Sequence, residues 1–382
     1  MNVKNKKLAI LLIGLIIILT GCLPSKEIEG LGIINTRGID TLDDGNLETT
    51  IVYFQFDKQS KNITKIVSGQ GKTVKGARTN ANFKTNFELT AGQIRLEIYG
   101  REAAEKGILP YLDTLGRDAK VADTMFLAVS DTTAKDVIKM GQKDPQTNVG
   151  HYLYRLIEQS IIHDVVPRMT LQDFIHAFYD VGKDPIMPIL KISKKRPYLY
   201  AVGLFKNDQL VGQIPAEDAF LINMLEKKVK TTQLELELPL KPFEKYIQKP
   251  GGKKSDEKTF SVLISVLNGK GKMDVVDMNS LTFKTDIQME LRLLELTKEI
   301  RIKSPKVRAL FEKEIEKSIA KQYQDLLANV QELGVDPFGY GNVYRVHKKN
   351  GELKSKEWRN ILPDINVKFH VDAKIVQHGI TK

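Results

Sequence analysis

Three stretches in the last third of the chain alternate apolar and polar residues. Phe260, Val262, Ile264 and Val266 form one apolar set. Ile287, Met289, Leu291 and Leu293 form a second, interleaved with Asp286, Gln288, Glu290 and Arg292. Ile365, Val367, Phe369, Val371, Ala373 and Ile375 form a third, opposite Asn366, Lys368, His370, Asp372 and Lys374. A period of two puts each set on one face of a strand. The three stretches therefore predict an antiparallel sheet with one buried and one wet face, and Lys249 to Lys254 reads as a flexible loop between two of its strands. Between the second and third sets, Ser304 and Pro305 supply an N-cap and a first helical residue. Val307, Phe311, Ile315, Ile319, Tyr323, Leu326, Val330 and Leu333 then recur every three or four residues, and Gly334 ends the run. Some thirty residues rising about 1.5 Å each make a rod of ~45 Å, enough to cover one face of the sheet. The stripe lacks a sustained heptad, which favours packing on the sheet over a coiled coil.

The opposite end of the chain says where such a body is placed. Lys4, Lys6 and Lys7 precede an apolar run from Leu8 to Leu19, and Thr20-Gly21-Cys22 follows. This is the charged, apolar and small-residue order of an export signal. The run is short for a transmembrane helix, which needs ~20 apolar residues. Cys22 is the only cysteine, so no disulfide can form within the chain.

Removing residues 1–21 leaves 361 residues, enough for two or three domains and a core that needs neither metal nor disulfide. The whole chain has 58 basic and 47 acidic residues; without Lys4, Lys6 and Lys7 the balance is 55 to 47. The surplus is spread along the chain rather than clustered beside aromatics, which argues against nucleic acid. It suits a body lying over an anionic leaflet as well as it suits simple solubility.

Upstream, Thr49 to Phe56 is β-branched and aromatic and reads as a largely buried strand after the turn residues Asp43-Asp44-Gly45-Asn46. Ile94, Leu96 and Ile98 alternate with Arg95 and Glu97, predicting a half-buried strand. Arg101 to Leu115 has the spacing of one helix, Met125 to Val129 of a strand, and Thr132 to Met140, Tyr152 to Ile162 and Leu171 to Val181 of further helices. The prolines and the basic run Lys194-Lys195-Arg196 within 183–197 read as a boundary. After it come two short strands about Asn207-Asp208 and a helix opened by Pro215. The fold class is thus α+β and multi-domain. It comprises a signal segment at 1–21, a mixed α/β N-terminal domain at 22–195, a small β-β-α middle module at 196–234, and a C-terminal antiparallel sheet covered by one long helix at 235–382.

Motifs that carry chemistry are missing from the sequence. Gly71-Lys72-Thr73 has the tail of a phosphate loop, but Ile66 stands where its first glycine is required. The six histidines form no His-Glu-x-x-His pair, and there is no Gly-x-Ser-x-Gly elbow. The expectation is a non-catalytic protein with no metal or cofactor.

Several stretches carry a resemblance. They are Leu19-Thr20-Gly21-Cys22, Gly38-Ile39-Asp40, Leu96 to Ile108, Tyr111 to Asp118, Tyr200 to Gly212, Asp336-Pro337-Phe338-Gly339-Tyr340-Gly341, Trp358 and a closing strand ending at Gly379. Together they resemble the Ger(x)C family of spore-germination lipoproteins across almost the whole chain. One departure is Leu23-Pro24, where members often carry a tryptophan after the cysteine. The resemblance implies a diacylglycerol on Cys22 and a place on the outer face of the spore's inner membrane. It also implies a role as the C subunit of a nutrient germinant receptor beside integral-membrane A and B subunits, with no established catalysis. A lipid-anchored solute-binding protein is the other class such a chain could join, but it would show two similar lobes, and the two halves here differ in pattern. On the loop from Asp336 to Gly341, Tyr340 is the candidate partner contact, because interfaces favour tyrosine and loops present it.

With no disulfide or metal in its core, the chain beyond Cys22 should keep the same melting temperature with and without reductant or chelator. A scan under the three conditions checks this, and a large drop with chelator would reveal a metal site.

Overall fold

The computed structural model describes residues 28–56, 64–117, 121–142, 148–247, 257–300, 302 and 304–378. The export segment with Cys22, and the loop 249–254, lie outside these residues.

The strands are β1 (Leu31–Thr41), β2 (Leu47–Gln55), β3 (Thr64–Gly71), β4 (Glu88–Thr90), β5 (Leu96–Tyr99), β6 (Phe126–Ser130), β7 (Ile186–Ser193), β8 (Arg196–Lys206), β9 (Gln209–Pro215), β10 (Gln233–Pro239), β11 (Thr259–Asp277), β12 (Thr282–Leu296) and β13 (Asn366–His378). The helices are α1 (Val74–Asn82), α2 (Arg101–Lys106), α3 (Leu109–Gly116), α4 (Ala134–Gly141), α5 (Val149–Ile162), α6 (Leu171–Tyr179), α7 (Ala219–Glu226), α8 (Pro305–Leu333), α9 (Tyr340–His347) and α10 (Ser355–Ile361).

Two sheets organise them. The larger runs β3-β2-β1-β5-β6-β7-β8-β9, with β4 also paired to β1. Its centre is parallel and its flanks antiparallel. Val137 and Ile138 of α4 and Leu153 and Ile157 of α5 pack on one face. The other face packs with Ala103 and Ala104 of α2, Leu112 and Leu115 of α3 and Phe174 of α6. The smaller sheet runs β10-β11-β12-β13. Its inner face meets α8, with Phe311 against Phe243 and Phe260 and Tyr323 stacked on Phe369.

The α+β class and the helix-covered C-terminal sheet are as the alternation predicts. The last strand departs from that reading, because β13 runs parallel to β12. The chain returns to the sheet only after α8, α9 and α10, and such helical crossovers are how parallel neighbours are joined. β5 is also not half-buried. It lies between β1 and β6, and Glu97 on it is fully enclosed. The single helix expected from Arg101 to Leu115 is broken at Gly107, whose φ of 112° no helix accepts. Residues 183–197, read as a boundary, contain β7, and β8 and β9 continue the same sheet. The β-β-α unit of β8, β9 and α7 is therefore present locally, with its strands extending the large sheet.

Gly69 and Gly71 on β3 are read better as packing than as phosphate chemistry. A Cβ on Gly69 would stand 2.2 Å from the Ala77 carbonyl oxygen and 2.3 Å from the Ala81 nitrogen, so its absence lets α1 lie directly on the strand. Thr73 then caps α1 by accepting from the Gly76 N–H at 3.0 Å.

Side chains also occupy backbone groups of one outermost strand in each sheet, β3 and β13. Lys84 Nζ donates to the Ser68 carbonyl at 2.9 Å and Asn80 Nδ2 to that of Gln70 at 2.7 Å, both on β3. On β13 the N–H groups of Ala373 and Ile375 donate to Glu316 and Glu312 of α8, at 3.1 and 2.8 Å.

Gly69→Ala forces a methyl against helix backbone and should cost about 3 kcal/mol. Gly92→Ala meets nothing within 4 Å, and should stay within about 0.5 kcal/mol. Urea unfolding of the two variants checks the contrast.

Candidate functional site at the junction of the sheets

The loop from Asp336 to Gly341 begins three residues after α8 and lies where the two sheets meet. Gly334 and Gly339 carry φ of 65° and 88°, and they turn the chain sharply on either side of Asp336. Asp336 is buried. Its two carboxylate oxygens accept from the N–H groups of Gly339 and Gly341, each at 2.8 Å. Its own N–H donates to Asp184 Oδ2 at 2.6 Å, and the Asp184 N–H donates to the Asp336 carbonyl at 2.8 Å. Arg359 forks onto both oxygens of Asp184 and donates to the Gly334 carbonyl at 3.0 Å. Burial pushes the Asp336 carboxyl up to about 6, against the backbone N–H groups that favour its charged form.

The loops touch backbone to backbone at Gly182 and Gly341. A Cβ on Gly341 would lie 2.4 Å from Gly182 Cα and 2.7 Å from the Trp358 ring. A Cβ on Gly182 would lie 2.5 Å from the Asn342 nitrogen. Arg345 and Asp180 pair at 2.6 Å across the same seam.

Tyr340, the candidate partner contact, is 0% exposed, which overturns that role. Its hydroxyl stands 2.7 Å from Thr285 Oγ1, and its ring packs on Phe283 and Phe338 at 5.5 and 5.7 Å. Gly339 is the N-cap of α9, and Tyr340 as its first residue meets β12. Cys22, the other candidate, lies outside the described residues.

The other stretches singled out in the sequence also hold the fold. Asp40 on β1 caps α4, accepting from the N–H groups of Ala134 at 2.7 Å and Lys135 at 3.0 Å. Burial pushes its carboxyl up to about 6 as well. A Cβ on Gly100 would stand 2.2 Å from Asp40 Oδ1. On the strand pair β1 and β5, Arg37 and Tyr99 bind the enclosed Glu97 at 2.7 and 2.8 Å. Asp208 accepts from the Ile108 and Leu109 N–H groups at 3.1 and 3.0 Å, which joins the Gly107 break to the β8–β9 turn.

A cleft of about 240 Å³ opens beside the junction, lined in part by Arg168, Asp173, His176, Lys183 and Glu226. Its charges are mutually paired, Lys183 with Glu226 and Arg168 with Asp173. Among the described residues no three His, Cys, Asp or Glu side chains converge on a possible metal position. The arrangement is that of a seam held by buried charge.

Arg359→Ala would leave Asp184 buried with its cation gone and should cost about 3–5 kcal/mol. Tyr340→Phe removes one buried hydrogen bond and should cost about 1 kcal/mol. Tyr340→Ala opens a core cavity and should cost about 3–5 kcal/mol. Urea midpoints of the three variants check this order.

Comparison with known proteins places the whole chain. Residues 24–192 match the family described as spore germination protein N-terminal domain, and residues 201–379 match spore germination B3/GerAC like, C-terminal. Spore germination protein GerQC of Bacillus cereus is 24% identical over 98% of this chain and 99% of its own length. Spore germination protein KC of Bacillus subtilis (strain 168) is 21% identical over 99% and 97%. The crystal structure of the GerBC protein shares the fold, with a TM-score of 0.56 and 13% identity over 89% of this chain and 97% of that one. With both of its halves matched in order and its fold shared, the chain belongs to the Ger(x)C family of spore-germination proteins.

Proposed function

We propose that this chain is the lipid-anchored C subunit of a spore nutrient germinant receptor. In this reading a diacylglycerol on Cys22 holds it to the outer face of the spore's inner membrane. There it assembles with the integral-membrane A and B subunits and acts without catalysis. The observation that carries the reading is Leu19-Thr20-Gly21-Cys22, the lone cysteine behind an export signal, at the head of a family member. Among the described residues no helix is long and apolar enough to cross a membrane. Two acyl chains give stable attachment where one gives only marginal binding, at ~0.8 kcal/mol per buried CH₂.

Cys22→Ala should move the chain from the membrane fraction to the soluble one, or leave an unprocessed precursor. A mutant that stays membrane-bound and correctly cut would refute the anchor. Deleting the chain from its spores should abolish germination by at least one nutrient in a panel. It should also leave the A and B subunits without a co-purifying partner. Normal responses to every nutrient would refute the receptor role.

A further inference from the structure

The basic run Lys194-Lys195-Arg196 forms the turn of the β7–β8 hairpin. Ser193 pairs with Arg196, so Lys194 and Lys195 are the whole of a two-residue loop. Their φ angles are 47° and 67°. A hairpin turn with positive φ at both central residues is normally made by Asn-Gly or Gly-Gly, because a Cβ is disfavoured there. This chain places lysine at both positions. Neither the backbone strain nor the adjacent like charges help the fold.

The tip is open to solvent. Residues 193–196 are exposed, and among the described residues the side chains of Lys194, Lys195 and Arg196 have no hydrogen-bond or ion-pair partner. β9 pairs with β8 only from Ala201 onward, so residues 196–200 have a strand on one side alone. On one face Arg196, Tyr198 and Tyr200 follow at a period of two, and Lys191 lies opposite Tyr198. Tyr198 is 38% exposed, its ring meets that of Tyr200 edge-on at 6.2 Å, and Lys191 Nζ stands 4.2 Å from the Tyr200 ring centre. Asp131, 3.0 Å from Lys191, is shared with Arg101 at 3.0 Å. Burial and the Glu217 charge push the Asp218 carboxyl up after β9, with no cation of the tip offsetting them. The free edge cannot grow by strand pairing at Pro197, which has no N–H and whose carbonyl accepts from the Tyr152 hydroxyl at 2.7 Å. Recognition here falls to side chains.

We propose that this hairpin tip docks an acidic segment of a partner protein, with Lys194, Lys195 and Arg196 binding its carboxylates and the Tyr198 and Tyr200 rings flanking them. Charge complementarity selects the partner, since Lys191 and the three tip cations face one carboxylate that Arg101 already shares. Arginine and tyrosine are residues that interfaces favour, and the guanidinium can fork onto a carboxylate. A lipid leaflet fits less well. Residues 193–196 include no apolar side chain to enter it. β1, β5, β6 and β7 are also parallel, so the turn lies at the end of the sheet opposite Leu31, where the chain arrives from Cys22. The inference stands apart from the receptor reading and from the anchor.

The test uses the whole chain, purified in mild detergent, and a fluorescein-labelled hexaglutamate peptide at about 0.15 M salt. Lys194→Asn with Lys195→Gly supplies the pair that the turn prefers, so it should raise the urea midpoint while weakening the peptide by about tenfold or more. Lys194→Arg with Lys195→Arg keeps the charge and should keep the binding. Lys72→Gln with Lys75→Gln removes equal charge from exposed positions beside β3, at the opposite edge of the same sheet, and should leave binding unchanged. No binding by the parent, or undiminished binding by the Asn-Gly variant, would overturn the docking surface. Equal loss in the control at 72 and 75 would reduce it to the general attraction of a basic protein and overturn it as well. A lower urea midpoint for the Asn-Gly variant would overturn the reading that the lysines stand against the preference of the fold. A preference for phosphatidylglycerol over phosphatidylcholine nanodiscs, or for oligothymidylate over hexaglutamate, that the Asn-Gly variant loses would assign the tip to lipid or nucleic acid and overturn the protein partner.

Discussion

Two buried carboxylates decide how the halves of this protein are joined. Asp184 and Asp336, 152 residues apart, exchange backbone and side-chain hydrogen bonds, and Arg359 closes the set from α10. Burying such charges costs several kcal/mol each unless every lone pair finds a donor. Here two glycine N–H groups, one aspartate N–H and one guanidinium supply them. The geometry then propagates. Gly182 and Gly341 exist as glycines because the loops must touch. Tyr340 is turned against β12 rather than offered to a partner. The contact is specific because removing any member strands another in a dry place.

How legible this was depends on how local each signal is. The strands from Phe260, Ile287 and Ile365 and the helix from Pro305 obey a single short-range period over many residues, and they fold as read. Leu234, Leu236 and Leu238 alternate with Glu235 and Glu237 in the same way and form β10, but so short a run does not separate a strand from chance. Glu97 shows the opposite failure. Its alternation with Leu96 and Ile98 reads as a wet face, yet neighbouring strands lie on both sides and Arg37 reaches it from β1. The direction of β13 was equally hidden, because it follows from a crossover rather than from any residue within the strand.

The junction was half legible. Asp336, Gly339, Gly341 and Trp358 stand out in the sequence, but Asp184 and Arg359 do not, since ordinary charged residues announce nothing until folding brings them together. Two aromatics on a glycine-rich loop also fit two opposite readings. Only the position of β12 decides that the Tyr340 hydroxyl meets Thr285 instead of solvent.

The side chains that occupy β3 and β13 bear on how copies of this body coexist. A bare strand edge is a template for sheet growth from one molecule to the next. With Glu312 and Glu316 on the amides of β13, and Lys84 and Asn80 on the carbonyls of β3, that growth must first break existing bonds and expose a charge. At these two edges, side-chain identity rather than backbone pairing is left to select what binds.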